Sequence, residues 1–331
     1  MRYLIYFDAT LGNFTHLIPY LYELKKNKTK FYLFIKNPAV LELIKIYKIS
    51  NKVIYYSKKK TIFQFFNFTN LLRDINKINF EHVISLSLHN NWKNKLLYFY
   101  LKMKKKKIFK FTKKIKNKKY SNHVVYDDIK SESLNYKSLL EKTLNIKINV
   151  QNTKKKKKTT NIIGFHAGCS DSLGHKRWCK KKFEHLIKIL LEKKFKIYLF
   201  GKGKQEIEIN NDIISNLNNN KKIVNFTNKL NIKELIEKLL ECDSVVANDS
   251  GVMQLSNFLG NKTISIFGPS SEVKNRPLNK HFIPLRSFSN KICNKYTNEI
   301  CFDCKKKING KKKIKCLDRV SVNYVYKYIL K

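Results

Sequence analysis

Arginine is almost missing from a chain that is otherwise saturated with positive charge. Of 69 basic residues only six are Arg; set against 24 acids, they leave a formal net charge of +45 over 331 residues. The scarcity bears on function, because proteins that read nucleic-acid sequence rely on Arg for bidentate contacts to bases. Lys is accompanied here by abundant Asn, Ile, Tyr and Phe, residues whose codons can be written almost wholly in A and T. Runs of Lys are ordinarily solvated faces or loops. A basic nucleic-acid binder with a Cys-rich knuckle is therefore supported only by charge and cysteines, and nucleic acid is not expected as a partner. Such a surface is still drawn to anionic membrane headgroups, by about 1 kcal/mol per well-placed basic residue.

Long apolar runs are missing as well. They reach only about six residues, where a membrane-crossing helix needs roughly 20. The opening Met1-Arg2-Tyr3-Leu4-Ile5-Tyr6-Phe7-Asp8 is too short and too soon interrupted for a signal peptide; it reads as a first strand, and a cytoplasmic protein is expected. Seven cysteines in a reducing compartment are not expected to form disulfides.

What the chain does contain is a steady alternation of strand-like and helix-like segments. Strands are expected over residues 3–8, 31–36, 53–57 and 82–87, with helices over 14–26, 39–47, 91–102 and 132–144. A polar stretch with five consecutive lysines, Lys154 to Lys158, reads as a linker. The pattern then restarts. Strands are expected over 161–165, 196–200, 223–226, 244–248 and 263–267, with helices over 179–194, 205–217, 232–240 and 252–259. This alternation argues for an α/β fold made of two Rossmann-like domains, 1–155 and 156–290, with parallel sheets facing an inter-domain cleft. A Cys/Lys-rich tail and a terminal helix occupy 291–331.

Five strand-to-helix turns carry the candidate chemistry. Val245-Val246-Ala247-Asn248 ends in Asp249-Ser250-Gly251, which sets free amides and a hydroxyl at a helix N-terminus, where a diphosphate is held cheaply. Gly164-Phe165-His166-Ala167-Gly168 opens a Gly/Ser-rich loop that closes on Lys176-Arg177-Trp178, with Lys176 able to meet phosphate charge and Trp178 an alternative core anchor. Gly201-Lys202-Gly203 precedes Glu206, a carboxylate for ribose hydroxyls or simply an acid favoured by a helix dipole. The Ala9-Thr10-Leu11-Gly12-Asn13 turn also reads as an ordinary βα turn with Asn13 as the helix cap. Phe267-Gly268-Pro269 is the fifth.

Taken in order, these pieces resemble glycosyltransferase family 9, the ADP-heptose:lipopolysaccharide heptosyltransferases. The likeness covers most of the chain and is tightest from about Gly164 to Pro269. It implies a metal-independent, inverting enzyme of the GT-B fold, without a cofactor. That enzyme would move heptose from ADP-L-glycero-D-manno-heptose, or another nucleotide sugar, to a lipopolysaccharide core acceptor, working peripherally on the inner face of the inner membrane. The resemblance further implies that Lys176, Ser250 and Gly251 hold the donor diphosphate, with Ser170 or Ser172 adding a hydroxyl. Glu206 would hold the ribose, and Leu230, 19 residues before Asp249, would offer backbone to the base.

Two positions depart from the family pattern. The family usually has Asp directly after the first glycine, taken as the general base; here it is Asn13, whose neutral amide cannot accept the acceptor's proton. The family usually has His three residues after the Asp-Ser-Gly glycine; here it is Gln254. Either Asp8 or Asp249 serves as base, or donor or acceptor differs, or the chain is a catalytically weakened sugar-binding relative. Finally, Cys293, Cys301, Cys304 and Cys316 form a four-cysteine set with a single Cys-x-x-Cys, either a zinc site of irregular spacing or a reduced surface loop.

Overall fold

The computed structural model describes residues 1–50, 52–56, 64–88, 91–112, 122–150, 159–169, 171–286 and 315–330. The chain divides into two compact units, Met1–Gln151 and Asn152–Lys331. Among the described residues, no helix is long and apolar enough to cross a membrane.

In the first unit the parallel strands are β1 (Arg2–Phe7), β2 (Lys30–Ile35), β3 (Val53–Tyr55), β4 (His82–Ser85), β5 (Lys107–Thr112) and β6 (His123–Val125), in the spatial order β3-β2-β1-β4-β5-β6. The helices are α1 (Leu11–Lys26), α2 (Pro38–Ile46), α3 (Gln64–Asn76), α4 (Trp92–Met103) and α5 (Glu132–Leu144). One core packs Leu4, Tyr6, Phe34, Phe80, Val83, Leu97, Leu101 and Ile108 together. Strand β1 shows why: all but its first residue are buried, the continuous apolar run of a strand covered on both faces. Residue 13 corrects one expectation. Thr10, not Asn13, caps α1; its hydroxyl accepts from the Asn13 amide, so Asn13 is already the third residue of the helix.

The second unit repeats the plan. Its strands are β7 (Ile162–His166), β8 (Lys196–Leu199), β9 (Ile223–Asn225), β10 (Ser244–Asn248), β11 (Lys262–Ile266) and β12 (Phe282–Leu285), in the order β12-β11-β10-β7-β8-β9 and again parallel. Its helices are α6 (Lys180–Glu192), α7 (Lys204–Asn216), α8 (Ile232–Glu241), α9 (Gly251–Phe258), α10 (Lys315–Asp318) and α11 (Val322–Leu330). In both sheets the first strand lies between the second and the fourth, so each has a switch point beside its first strand (β1/β4 and β7/β10), where open α/β sheets bind ligands. The terminal helix α11 packs on α6 and β11 and puts Val325 and Ile329 into the second unit's core.

Helix ends carry a local signature. The chain has only ten glycines, and Lys28, Lys48, Lys105, Asn145 and Lys194 take the left-handed backbone just past α1, α2, α4, α5 and α6, with φ between 48° and 65°. Glycine usually fills that position because it has no Cβ to clash.

Candidate functional site

The carboxyl edge of the second sheet is built around one buried ion pair. Lys176 ends the 3-10 turn at Asp171–Lys176, and its Nζ donates to Asp249 Oδ2 at 2.6 Å, both side chains being buried. Asn275 Nδ2 donates to the same oxygen at 3.1 Å. Gln254, on the first turns of α9, donates through Nε2 to the Asn275 carbonyl at 2.6 Å, while its Oε1 is buried with no partner among the described residues. His166 Nδ1, at the end of β7, is orphaned in the same way. A folded chain rarely leaves buried polar atoms unpaired, so these two are open to a water or to a ligand group. Ser250 caps α9, its hydroxyl accepting from the Met253 amide at 3.3 Å. The amides that begin α9 thus face outward with the positive end of the helix dipole.

Two further residues hold this edge in shape. Asn248 is wholly buried; its Nδ2 donates to the Ala167 and Gly168 carbonyls and its Oδ1 accepts the Trp178 amide, tying the loop after β7 to the start of α6. Glu206, on the first turn of α7, is buried against Gly168: a Cβ there would lie 2.0 Å from the Glu206 carboxyl. Its Oε2 receives the Lys202 amide at 2.8 Å and lies 3.2 Å from His166 Nε2. Burial pushes the Glu206 carboxyl up, but the His166 contact, the Lys202 amide and Arg177 outweigh it and hold it below the usual carboxylate range. Arg177 is turned to Gln205 Oε1 and the Cys169 carbonyl. Leu230, half-buried, lies just before Asn231, the cap of α8, past the end of β9.

The first unit has its own polar cluster at the β1/β4 switch point. Asp8 follows β1 and is buried. The Tyr6 hydroxyl lies 3.0 Å from Asp8 Oδ2 and 2.7 Å from Asn94 Oδ1, sharing one proton between them. Asn94 Nδ2 lies 3.4 Å from Asp8 Oδ2 and 3.2 Å from Ser87 Oγ. Lys36 Nζ donates to the Tyr6 hydroxyl at 2.5 Å. Both bonds to Asp8 land on Oδ2; Oδ1 takes neither and is not among the buried orphaned atoms. Burial, then the Asp8 charge, raises the Tyr6 hydroxyl far above its usual range, so it stays a proton donor. Asn13 accepts from the Thr10 hydroxyl at 3.0 Å, and its side chain meets the buried Tyr136 hydroxyl, which also meets Glu132.

The expected residues thus fall into two groups, one per unit: Lys176, Glu206, Leu230, Asp249, Ser250, Gly251 and Gln254 along the second sheet's edge, Asp8 and Asn13 along the first's. Ser170 and the side chain of Ser172 lie outside the described residues, as do Cys293, Cys301 and Cys304; Cys316 is half-buried. Among the described residues no metal-binding group of His, Cys, Asp or Glu is present.

The sequence profile of glycosyltransferase family 9 (heptosyltransferase) matches residues 69–305. The chain belongs to glycosyltransferase family 9. It is 28% identical over 283 residues to lipooligosaccharide heptosyltransferase 2 of Campylobacter jejuni serotype O:6, covering 84% of each chain. In structure it is similar to E. coli heptosyltransferase WaaC with ADP, at TM-score 0.74 and 14% identity, covering 100% of this chain and 99% of that one. E. coli ADP-heptose lps heptosyltransferase II follows at TM-score 0.73 and 14% identity, covering 100% and 98%. This family 9 chain therefore has the fold of those enzymes, the expected α/β architecture of two Rossmann-like units found in GT-B glycosyltransferases. Sequence reasoning had reached the family but not Asn248, which stands beside Asp249 in the same motif and was legible there. It also missed Asn275, which sits in an irregular loop that no periodicity marks.

Proposed function

We propose that this family 9 glycosyltransferase moves heptose from ADP-L-glycero-D-manno-heptose to a lipopolysaccharide core acceptor, with inversion at the anomeric carbon. The observation that carries the reading is the Lys176–Asp249–Asn275–Gln254 chain at the second sheet's switch point, beside the N-terminus of α9. The ammonium and the first-turn amides of Gly251 and Val252 suit a diphosphate that gains charge as the sugar departs. The orphaned Gln254 Oε1 suits a sugar hydroxyl, which can donate to it. Glu206 takes the ribose and Leu230 lends backbone to the base. No cofactor enters this scheme.

The acceptor's proton goes to Asp8. Asn13 is neutral, and protonating Asp249 would leave the Lys176 ammonium buried without a counter-charge, a costly arrangement. Asp8 takes its own hydrogen bonds from the neutral Tyr6 and Asn94, with the Lys36 ammonium one bond further out on Tyr6, so taking a proton breaks no ion pair as direct as Lys176–Asp249. In this reading the enzyme works from the cytoplasm against the inner membrane, where its acceptor lies.

The test is turnover of ADP-heptose with a truncated core acceptor, compared with turnover of other nucleotide sugars. Heptose transfer with release of ADP is expected; preference for another sugar supports the alternative of a different donor. Lys176→Met is expected to weaken ADP binding roughly tenfold or more, the loss of one charge-assisted contact, as read by calorimetry. Unchanged ADP affinity in that variant sinks the donor-site assignment.

A further inference from the structure

Helix α4 carries its largest apolar side chains on the wrong side. Asn94, Leu97 and Leu101 face the core and are buried. On the opposite face Trp92 is 64% exposed, Leu96 41%, Phe99 62% and Met103 68%. At 100° per residue these four fall within about 60° of the helix surface, a single stripe three turns long. Exposed apolar residues scattered singly need no explanation, but a contiguous stripe marks an interaction surface. Lysines border it: Lys95 and Lys102 lie exposed along one side, Lys93 on the other, and Lys104 and Lys105 follow at the end. The Lys93 ammonium stands over the Trp92 ring, 5.5 Å from its centre.

We propose that α4 is the element by which this protein docks on an anionic lipid bilayer, its stripe entering the interface and its lysines reaching the headgroups. The inference rests on the reading, given above, that the protein works at a membrane surface, and it names the part that does so. Twelve residues are too few to cross a bilayer but suit a helix lying in its plane. Trp, Phe, Leu and Met are the side chains that partition into the headgroup–acyl boundary, and flanking Lys adds attraction to anionic lipid. A second copy of the chain fits worse. Stripe against stripe would bring two lysine borders of a chain of charge +45 together, and like charges facing each other oppose association.

The sequence supplies its own reporter. It has two tryptophans, and Trp178 is buried in the core of the second unit, so a change of emission on binding reads Trp92. The full chain is mixed with vesicles of phosphatidylcholine alone or with phosphatidylglycerol added, and with brominated acyl chains as quencher. Expected are binding to the phosphatidylglycerol vesicles that weakens with salt, a blue shift, and quenching by bromine. In Leu96→Gln/Phe99→Gln binding is expected to fall roughly tenfold or more, with helix content and turnover on a water-soluble truncated acceptor unchanged. The proposal is overturned if the wild type binds vesicles without quenching of Trp92, if it does not bind them, or if the double variant binds equally well. It is also overturned if the wild type is a dimer that the double variant splits, which would make the stripe a contact between copies. Intact vesicle binding with no heptose transfer would count against the glycosyltransfer reading and support the docking surface.

Discussion

In the proposed mechanism Asp8 is the residue on which the chemistry of the acceptor side turns. Replacing it with Asn keeps the size and the hydrogen bonding from Tyr6 but removes the proton acceptor. Turnover of Asp8→Asn is expected to fall about 10²- to 10⁴-fold, the usual worth of a general base, with ADP affinity unchanged in calorimetry. In Asn13→Asp activity is expected to return toward that of a chain with the family's usual acid, and a double variant with both changes separates the two bases. Elsewhere in the same unit, His16 is buried with its imidazole pushed down to about 4 by burial. Its folded pKa is depressed, so the unfolded chain binds the extra proton between about 6.5 and 4. Stability of the first unit is therefore complete above that window and lost as pH falls through it, by about 3 kcal/mol at most. Urea midpoints measured at neutral and at mildly acid pH should show this slope, and His16→Leu should flatten it.

At the scale of elements, the helix ends are where this chain gives up stability. Lysine in the left-handed backbone past a helix costs about 1 kcal/mol relative to glycine. Lys28→Gly, Lys48→Gly, Lys105→Gly and Lys194→Gly are each expected to stabilise by several tenths to 1 kcal/mol, as read from denaturant midpoints, with additivity least expected for Lys28 and Lys48, which Lys25 bridges. The same bias hid elements from sequence reading. The strands of high apolar content, β1, β7 and β10, were legible because their runs are continuous. Strand β5 was not, since Lys107 and Lys110 interrupt it and lysines precede it; its inward Ile108, Phe109 and Phe111 appear only in the fold. Strand β12 lies beyond an irregular loop and α3 has a sparse pattern, so neither stood out. Within the site, the types and order of residues at the strand ends were readable. The Lys176–Asp249 pairing was not, because it joins positions 73 apart and only the β7/β10 neighbourhood brings them together.

For the whole molecule, the imbalance of 69 bases to 24 acids dominates. Most lysines have no acid to pair with, so the compact state repels itself. The thermal midpoint is expected to rise as salt goes from about 0.05 to 0.5 M, the range in which the Debye length shrinks well below the spacing of surface charges. A chain held together by surface ion pairs would do the opposite, and calorimetric scans at those salts decide between them.

The last described residues of the second unit are built into it. Trp178 Nε1 donates to the Val320 carbonyl at 3.0 Å, Lys182 reaches the Asp318 and Val320 carbonyls, and Leu317 sits where any Cβ on Gly268 would intrude. During translation the first unit can settle as soon as it clears the ribosome, since domains fold in order of emergence. The second must wait, with Trp178 and the floor beneath Gly268 uncovered, until residue 330 is free of the exit tunnel. That interval, between emergence of Trp178 and arrival of the segment that covers it, is when the nascent enzyme is most open to chaperones and to misassembly.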